Sequence, residues 1–243
     1  MAKNRKNRQE QKPVYRKAKQ QPTPTGDVVA YQVRIDVLSP VHLGSGKADV
    51  NVDMEVTRDR YGMPCFPAKR LRGLLYESAL EVAEMSALSD KFLSETTVDE
   101  LFGHAPKTPV QMSIHDFVLE NEEKYQKMRD SWSYLMEKWP DVFCAEEVLR
   151  SYASVRFYTS IDPKTGLAVD TSLRNMRVVN KNLVFRGTIV LTGSKERHRK
   201  ALFLAVTNLR RAGLRRNRGL GHIRCTIENA DMTLEEACAK EEA

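Results

Sequence analysis

The sequence contains no run of eighteen apolar residues, so nothing in it suits a helix crossing a membrane. Its first residues are polar and basic, without the apolar segment of a secretory signal. The four cysteines, Cys65, Cys144, Cys225 and Cys238, form no CxxC pair and no regular framework. A reduced, intracellular and cytoplasmic protein is therefore expected. Nor do the histidines show metal-ligand spacing: His104, His115, His198 and His222 form no zinc motif, a site joining one of them to Cys65 or Cys144 has little support, and no residue is a candidate metal ligand. Zinc and disulfide chemistries lose their usual signatures together.

What is present is charge, unevenly placed. The 243 residues carry 39 Lys/Arg and 32 Asp/Glu, a net of +7. Residues 1–19 hold eight Lys/Arg and one Glu, which accounts for all of that excess. Within the rest, 84–147 has fourteen Asp/Glu against six Lys/Arg, whereas 195–218 has nine Lys/Arg and one Glu. A neutral body with one acidic region and one basic face suits a protein that binds nucleic acid on one side and proteins on another.

Residues 1–27 are rich in Lys, Gln, Pro and Thr and are expected to be a disordered basic arm. Residues 31–38 alternate, placing Tyr31, Val33, Ile35 and Val37 on one face of a strand. A polar loop follows through Gly44-Ser45-Gly46, and Pro67 opens a helix whose apolar side includes Leu71, Leu74 and Leu75. Arg60, Lys69, Arg70 and Arg72 are expected to gather at that helix entrance, where free amides would help seat a phosphate. Leu101-Phe102-Gly103 reads as a helix end, 110–119 as a possible strand, and 120–150 as a helical insertion with a small aromatic core. Residues 152–160 and 183–191 read as strands. Between them Asp162-Pro163-Lys164-Thr165-Gly166 signals a turn in a protruding loop or hairpin. A second helix over 196–212, stopped by Gly213, and a strand over 222–228 complete the chain before a short acidic tail at 231–243. The order strand, helix, two or three strands, helix, strand is that of an α+β, ferredoxin-like (RRM-like) palm with a mainly helical insertion at about 84–150.

Two glycine-containing basic stretches, 40–76 and 213–222, are expected to face one nucleic acid. The candidate RNA contacts are His42, Gly44, Ser45, Lys47, Lys69, Arg70, Arg72, Arg174, Arg215, Arg216, Arg218, Gly219 and Gly221. Arginines set among glycines let the backbone itself approach a phosphate. For His42 a structural role is an equal alternative. Asp53 is an isolated acid in the loop. Asp49, Glu55 and Asp59 are weaker candidates, read as surface or turn residues. A single carboxylate can deprotonate an RNA 2′-hydroxyl or place a divalent cation, Mg²⁺ above all, against a scissile phosphate.

Four pieces of the chain resemble the RAMP superfamily, and more narrowly the repeated backbone subunit of type III CRISPR effector complexes. They are 40–46 with 52–59 and 66–73, Leu101-Phe102-Gly103, 161–174, and 215–221. The resemblance spans most of 31–228, a single RAMP domain over 28–230. It departs at Pro67-Ala68-Lys69-Arg70-Leu71-Arg72-Gly73, where the family pattern runs Pro-Gly-Ser-Ser-Leu-Lys-Gly. It implies several copies of this protein in a filament along a guide RNA (crRNA), with other effector subunits, pairing the guide with complementary target RNA. It also implies one cut per copy, at six-nucleotide intervals, by an acid matching Asp53. A thumb hairpin at about 159–180 would wedge into the duplex, with Leu173 and Met176 as wedge candidates. The alternatives are a non-cutting subunit of the same complex, or an endoribonuclease that processes the CRISPR transcript and relies on a histidine base. No membrane partner is implied.

Overall fold

A computed structural model describes residues 26–239 apart from 50, 90 and 108. The expected basic arm lies, but for its last two residues, outside that range.

Strand β1 (Val28–Val37) buries Tyr31, Val33, Ile35 and Val37 and turns the intervening residues outward, as its alternation requires. It lies between β6 (Val184–Thr192) and β7 (Ile223–Ile227), antiparallel to both. On the far side of β6 lie two short strands, β2 (Gln111–Ile114) and β3 (Val118–Leu119), giving the order β2-β6-β1-β7 with β3 also on β6. Helices α1 (Ala68–Ala87) and α5 (Glu196–Asn208) cover the apolar face. Ser78 on α1 donates to the Ala205 carbonyl at 2.9 Å, and small residues there let the two helices approach. This is the ferredoxin-like palm, its core formed where both helices meet the central strands. The open face is ion-paired rather than aromatic: Arg34 bonds Asp36 and Arg186 bonds Glu228. Such a face lacks the stacking platform of an RRM.

The 84–150 stretch divides. α2 (Glu95–Phe102) packs beside α1 and ends at Gly103, whose φ of 81° supplies the left-handed cap. β2 and β3 belong to the palm, so the inserted helical part is α3 (Glu122–Lys138) and α4 (Ala145–Tyr152). The β2–β3 strand breaks because Phe117 turns into the core and bridges Phe66. Its ring lies over Gly187, where an added Cβ would come within 2.2 Å. The inserted aromatics form a half-buried satellite, with Trp139 and Phe143 centroids 6.5 Å apart, while Tyr134 and Trp139 are exposed.

β4 (Ala153–Tyr158) and β5 (Arg174–Val179) form a separate hairpin. At its tip Asp162 caps its own turn, accepting from the Lys164 amide and the Thr165 hydroxyl. α5 stops at Asn208, earlier than expected: Leu209 is already extended, and Arg211 bridges His222. Gly213 instead serves a close approach, since a Cβ there would lie 2.5 Å from the His42 carbonyl oxygen and φ is +78°. The acidic tail includes a short helix, α6 (Leu234–Ala237), whose Ala237 packs against the core.

Candidate nucleic-acid interface

The loop after β1 is held from below by a buried ion pair. Arg177, on β5, bonds Glu55 through Nε at 2.9 and 3.2 Å and reaches Glu146 at the start of α4 through Nη2. Arg177 and Glu55 are 4% and 7% exposed. The expectation that Glu55 is a surface or turn residue therefore fails. Its charge is tolerated inside only because the guanidinium is there. Above this pair lies His42, also buried, with Nδ1 2.7 Å from the Arg177 carbonyl oxygen. A carbonyl accepts only, so Nδ1 carries the proton. Burial pushes the ring's pKa down, the Arg177 hydrogen bond opposes this, and the nearby Arg70 charge adds to the depression. His42 is thus neutral, and its ring lies beneath Gly44, where a Cβ would sit 2.6 Å from Nε2.

Over this floor a cleft of about 500 Å³ opens. Gly44, Gly46 and Lys47 form one wall, Asp53 and Glu55 a second, Arg70 on α1 a third, and Gly213, Leu214 and Arg216 the fourth. The two stretches expected to face one ligand do share one cavity. Arg70 is pinned there by a 2.9 Å bond to the Gly44 carbonyl. Ser45, beside the wall, folds back onto the Glu55 carbonyl through its amide at 2.7 Å. Lys47, Arg70 and Arg216 bring three cations. Arg216 is shared with Glu77 at 3.4 Å and Glu55 is neutralised by Arg177, which leaves Asp53 as the carboxylate of the cleft lining without an ion pair. Asp53 is exposed and accepts at Oδ2 from the Asn175 amide at 2.9 Å. Its own amide donates to Asn175 Oδ1 at 2.7 Å.

A second, smaller cleft of about 300 Å³ lies between the Gly-rich loop and the hairpin root, lined by Arg156, Phe157, Arg215, Arg218 and Gly219. Arg215 stacks on Tyr158, its guanidinium carbon 3.5 Å from the ring centroid. Gly221 is structural: its amide bonds the Pro40 carbonyl at 2.8 Å, and a Cβ would strike Ala212. Arg174 lies on the exposed hairpin and bonds the Leu173 carbonyl at 3.1 Å. Leu173 is 64% exposed, with Phe157 and Leu167 comparable, whereas Met176 is buried and presents no wedge.

The cationic gathering at the entrance of α1 does not form. Arg72 points away from the cleft and donates to the Phe102 and Met112 carbonyls at 2.8 and 3.2 Å, closing the end of α2. Arg60 lies on the Tyr61 ring, and Lys69 is exposed. The first amide of α1 is already taken by Asp116 at 2.7 Å, so the phosphate seat expected there is capped by an acid. Asp59 is a turn residue, accepting from the Tyr61 and Met63 amides at 2.8 and 2.9 Å. Asn175 and Arg177 were not among the sequence candidates. The signal for Arg177 was a charge inside the apolar strand Met-Arg-Val-Val, which demands a partner.

No described cluster of three His, Cys, Asp or Glu side chains could hold a metal ion. The Cys65 and Cys225 thiols are pushed up to about 12 by burial, which keeps them protonated. His198 is buried against Glu100 and accepts from the Lys195 amide at Nδ1, a helix-capping role. Among the described residues no helix is long and apolar enough to cross a membrane.

The family model of the RAMP superfamily matches residues 34–224. No curated protein sequence matches. Among solved structures, a chain in the cryo-EM structure of the type III-B Cmr-beta complex bound to cognate target RNA is similar, with a TM-score of 0.57 and 15% identity over 82% of this chain and 96% of that one. A chain from the same complex in its apo state has a TM-score of 0.57 and 12% identity over 82% and 97%. At such identities the likeness is one of fold.

Proposed function

We propose that this chain, which belongs to the RAMP superfamily, is a backbone subunit of a type III CRISPR ribonucleoprotein that holds guide RNA and cuts complementary target RNA at Asp53. The observation that carries this reading is the convergence of Lys47, Arg70 and Arg216 on one cleft with a single carboxylate not engaged by a cation. Cations in a concave, glycine-walled site suit phosphates, and they suit them without regard to base sequence. Base pairing with the guide would then read the target, as in other guided systems. The fold-related chains sit in a type III-B complex, one of them bound to cognate target RNA, and that setting supports the same partners here.

For cutting, Asp53 takes the proton from the 2′-hydroxyl beside the scissile phosphate. The 2′-oxygen attacks phosphorus, the bond to the 5′-oxygen breaks, and that oxygen leaves with a proton from water. The products are a 2′,3′-cyclic phosphate and a 5′-hydroxyl. Arg70 and Lys47 hold the phosphate near in-line and oppose its growing charge. The donor set offers a divalent cation one protein carboxylate, Asp53, which suits Mg²⁺ only with phosphate oxygens and water as its other ligands. Such an ion would supply further charge neutralisation at the phosphate.

A non-cutting role has its own support, because the Asp53–Asn175 hydrogen bonds also suit a purely structural clasp. Reconstitution with guide RNA and a complementary end-labelled target in Mg²⁺ separates the two. Fragments at six-nucleotide spacing, absent when the scissile ribose is 2′-deoxy, support the nuclease. An intact target bound along its length supports the scaffold. The histidine-dependent processing enzyme finds less support: His42, the histidine in the lining of this cleft, is buried, with its Nε2 covered by Gly44.

A further inference from the structure

The segment carrying Asp53 is held by the hairpin. Residues 51 to 55 run beside the outer edge of β5, fixed to it by Asn175 and Arg177. Asn175 is the centre of that attachment. Its side-chain oxygen accepts from the Asp53 amide at 2.7 Å, and its Nδ2 donates to the Asn51 carbonyl at 3.0 Å. Its own amide donates to Asp53 Oδ2 at 2.9 Å. Two residues along, the Arg177 amide donates to the Met54 carbonyl at 3.0 Å and its guanidinium holds Glu55. The Asp53 carboxylate therefore takes its place from β5, whose first residue continues directly into the exposed hairpin at Leu173.

We infer that Asn175 is a positioning residue for Asp53, through which the seating of the hairpin on a duplex sets the placement of the cutting acid. The inference rests on the nuclease reading above. An amide side chain suits this task, because it is donor and acceptor at once and spans the backbone on both sides of residue 52. Its removal leaves the Arg177–Glu55 pair and the Asn175 backbone bond in place, so the loop stays folded while the backbone on either side of residue 52 loses the two bonds that set the carboxylate's register. Misplacement of a reacting group by about 1 Å can cost about 100-fold in rate.

The test uses the assembled complex with guide RNA and a complementary labelled target, comparing wild type, Asn175→Ala, Asn175→Asp and Asp53→Asn. Asn175→Ala is expected to assemble, bind target with unchanged affinity and cut about 10- to 100-fold more slowly. In Asn175→Asp a second carboxylate faces Asp53, making its ionisation harder, so the acid limb of the pH–rate profile moves to higher pH. A merely structural residue would move affinity or assembly and leave the cutting rate of bound target unchanged in Asn175→Ala. Wild-type cutting rates in Asn175→Ala, with Asp53→Asn inactive, overturn the inference and spare the nuclease reading. Undiminished cutting in Asp53→Asn removes that reading and this inference with it. Should Asn175→Ala fail to assemble, the Asn175→Asp profile decides alone: an unmoved acid limb overturns the inference.

Discussion

Removing the Arg177 guanidinium should destabilise the chain more than any single change at the cleft rim. Arg177 and Glu55 are almost completely buried, and Glu55 has no second cation among the described residues. Arg177→Ala would strand a carboxylate beneath His42, and breaking such a pair from one side costs about 3 to 5 kcal/mol. For a chain of this size that is a fall in Tm of about 6 to 20 °C. Thermal melts followed by circular dichroism, with urea titration for the free energy, measure both. The double variant Arg177→Met/Glu55→Leu removes both charges at similar volume and should recover most of the loss. Glu146 would remain with Arg58, 3.2 Å away. A single-variant cost below about 1 kcal/mol, or a double variant as unstable as Arg177→Ala, would refute the claim that this pair is what makes the buried charge tolerable.

Asp116→Ala should uncap α1 and cost about 1 kcal/mol in urea denaturation without altering RNA affinity. Arg70→Ala and Arg72→Ala should part company. The first weakens RNA binding and lowers the salt slope by about one, whereas the second lowers stability and leaves the slope alone, both read by titrating labelled RNA at several salt concentrations. Because the folded pKa of His42 is depressed, the unfolded chain binds the extra proton first as pH falls. The contribution is fully present above about 6.5 and is lost as pH falls towards the folded value, so stability should drop between pH 7 and 5. His42→Asn should show a shallower drop in the same melts.

The parts of the fold legible in sequence were those with local causes. The alternation of 31–37 placed β1, Gly103 ended α2, and Asp162 to Gly166 made its turn, because each needs only its neighbours. The rest depended on partners distant in sequence. The break between β2 and β3 comes from Phe117 finding Gly187 seventy residues away. Arg70 and Arg72 are indistinguishable as letters, but two positions on a helix are about 200° apart, which sends one to the cleft and the other to α2. Glu55 reads as a surface acid until Arg177 arrives from β5. At the site, the loop acid and the two basic stretches were legible from their types and order. Asn175, which holds the acid, was not, since its role exists only through a pairing across 122 residues.

The central claim is that the cleft cuts RNA with Asp53, and one comparison tests it most directly. Wild-type and Asp53→Asn proteins are assembled with the same guide, shown to bind the same complementary RNA equally, and given Mg²⁺. The account predicts regularly spaced fragments from wild type and loss of every one of them in Asp53→Asn. Equal fragments from both would contradict it.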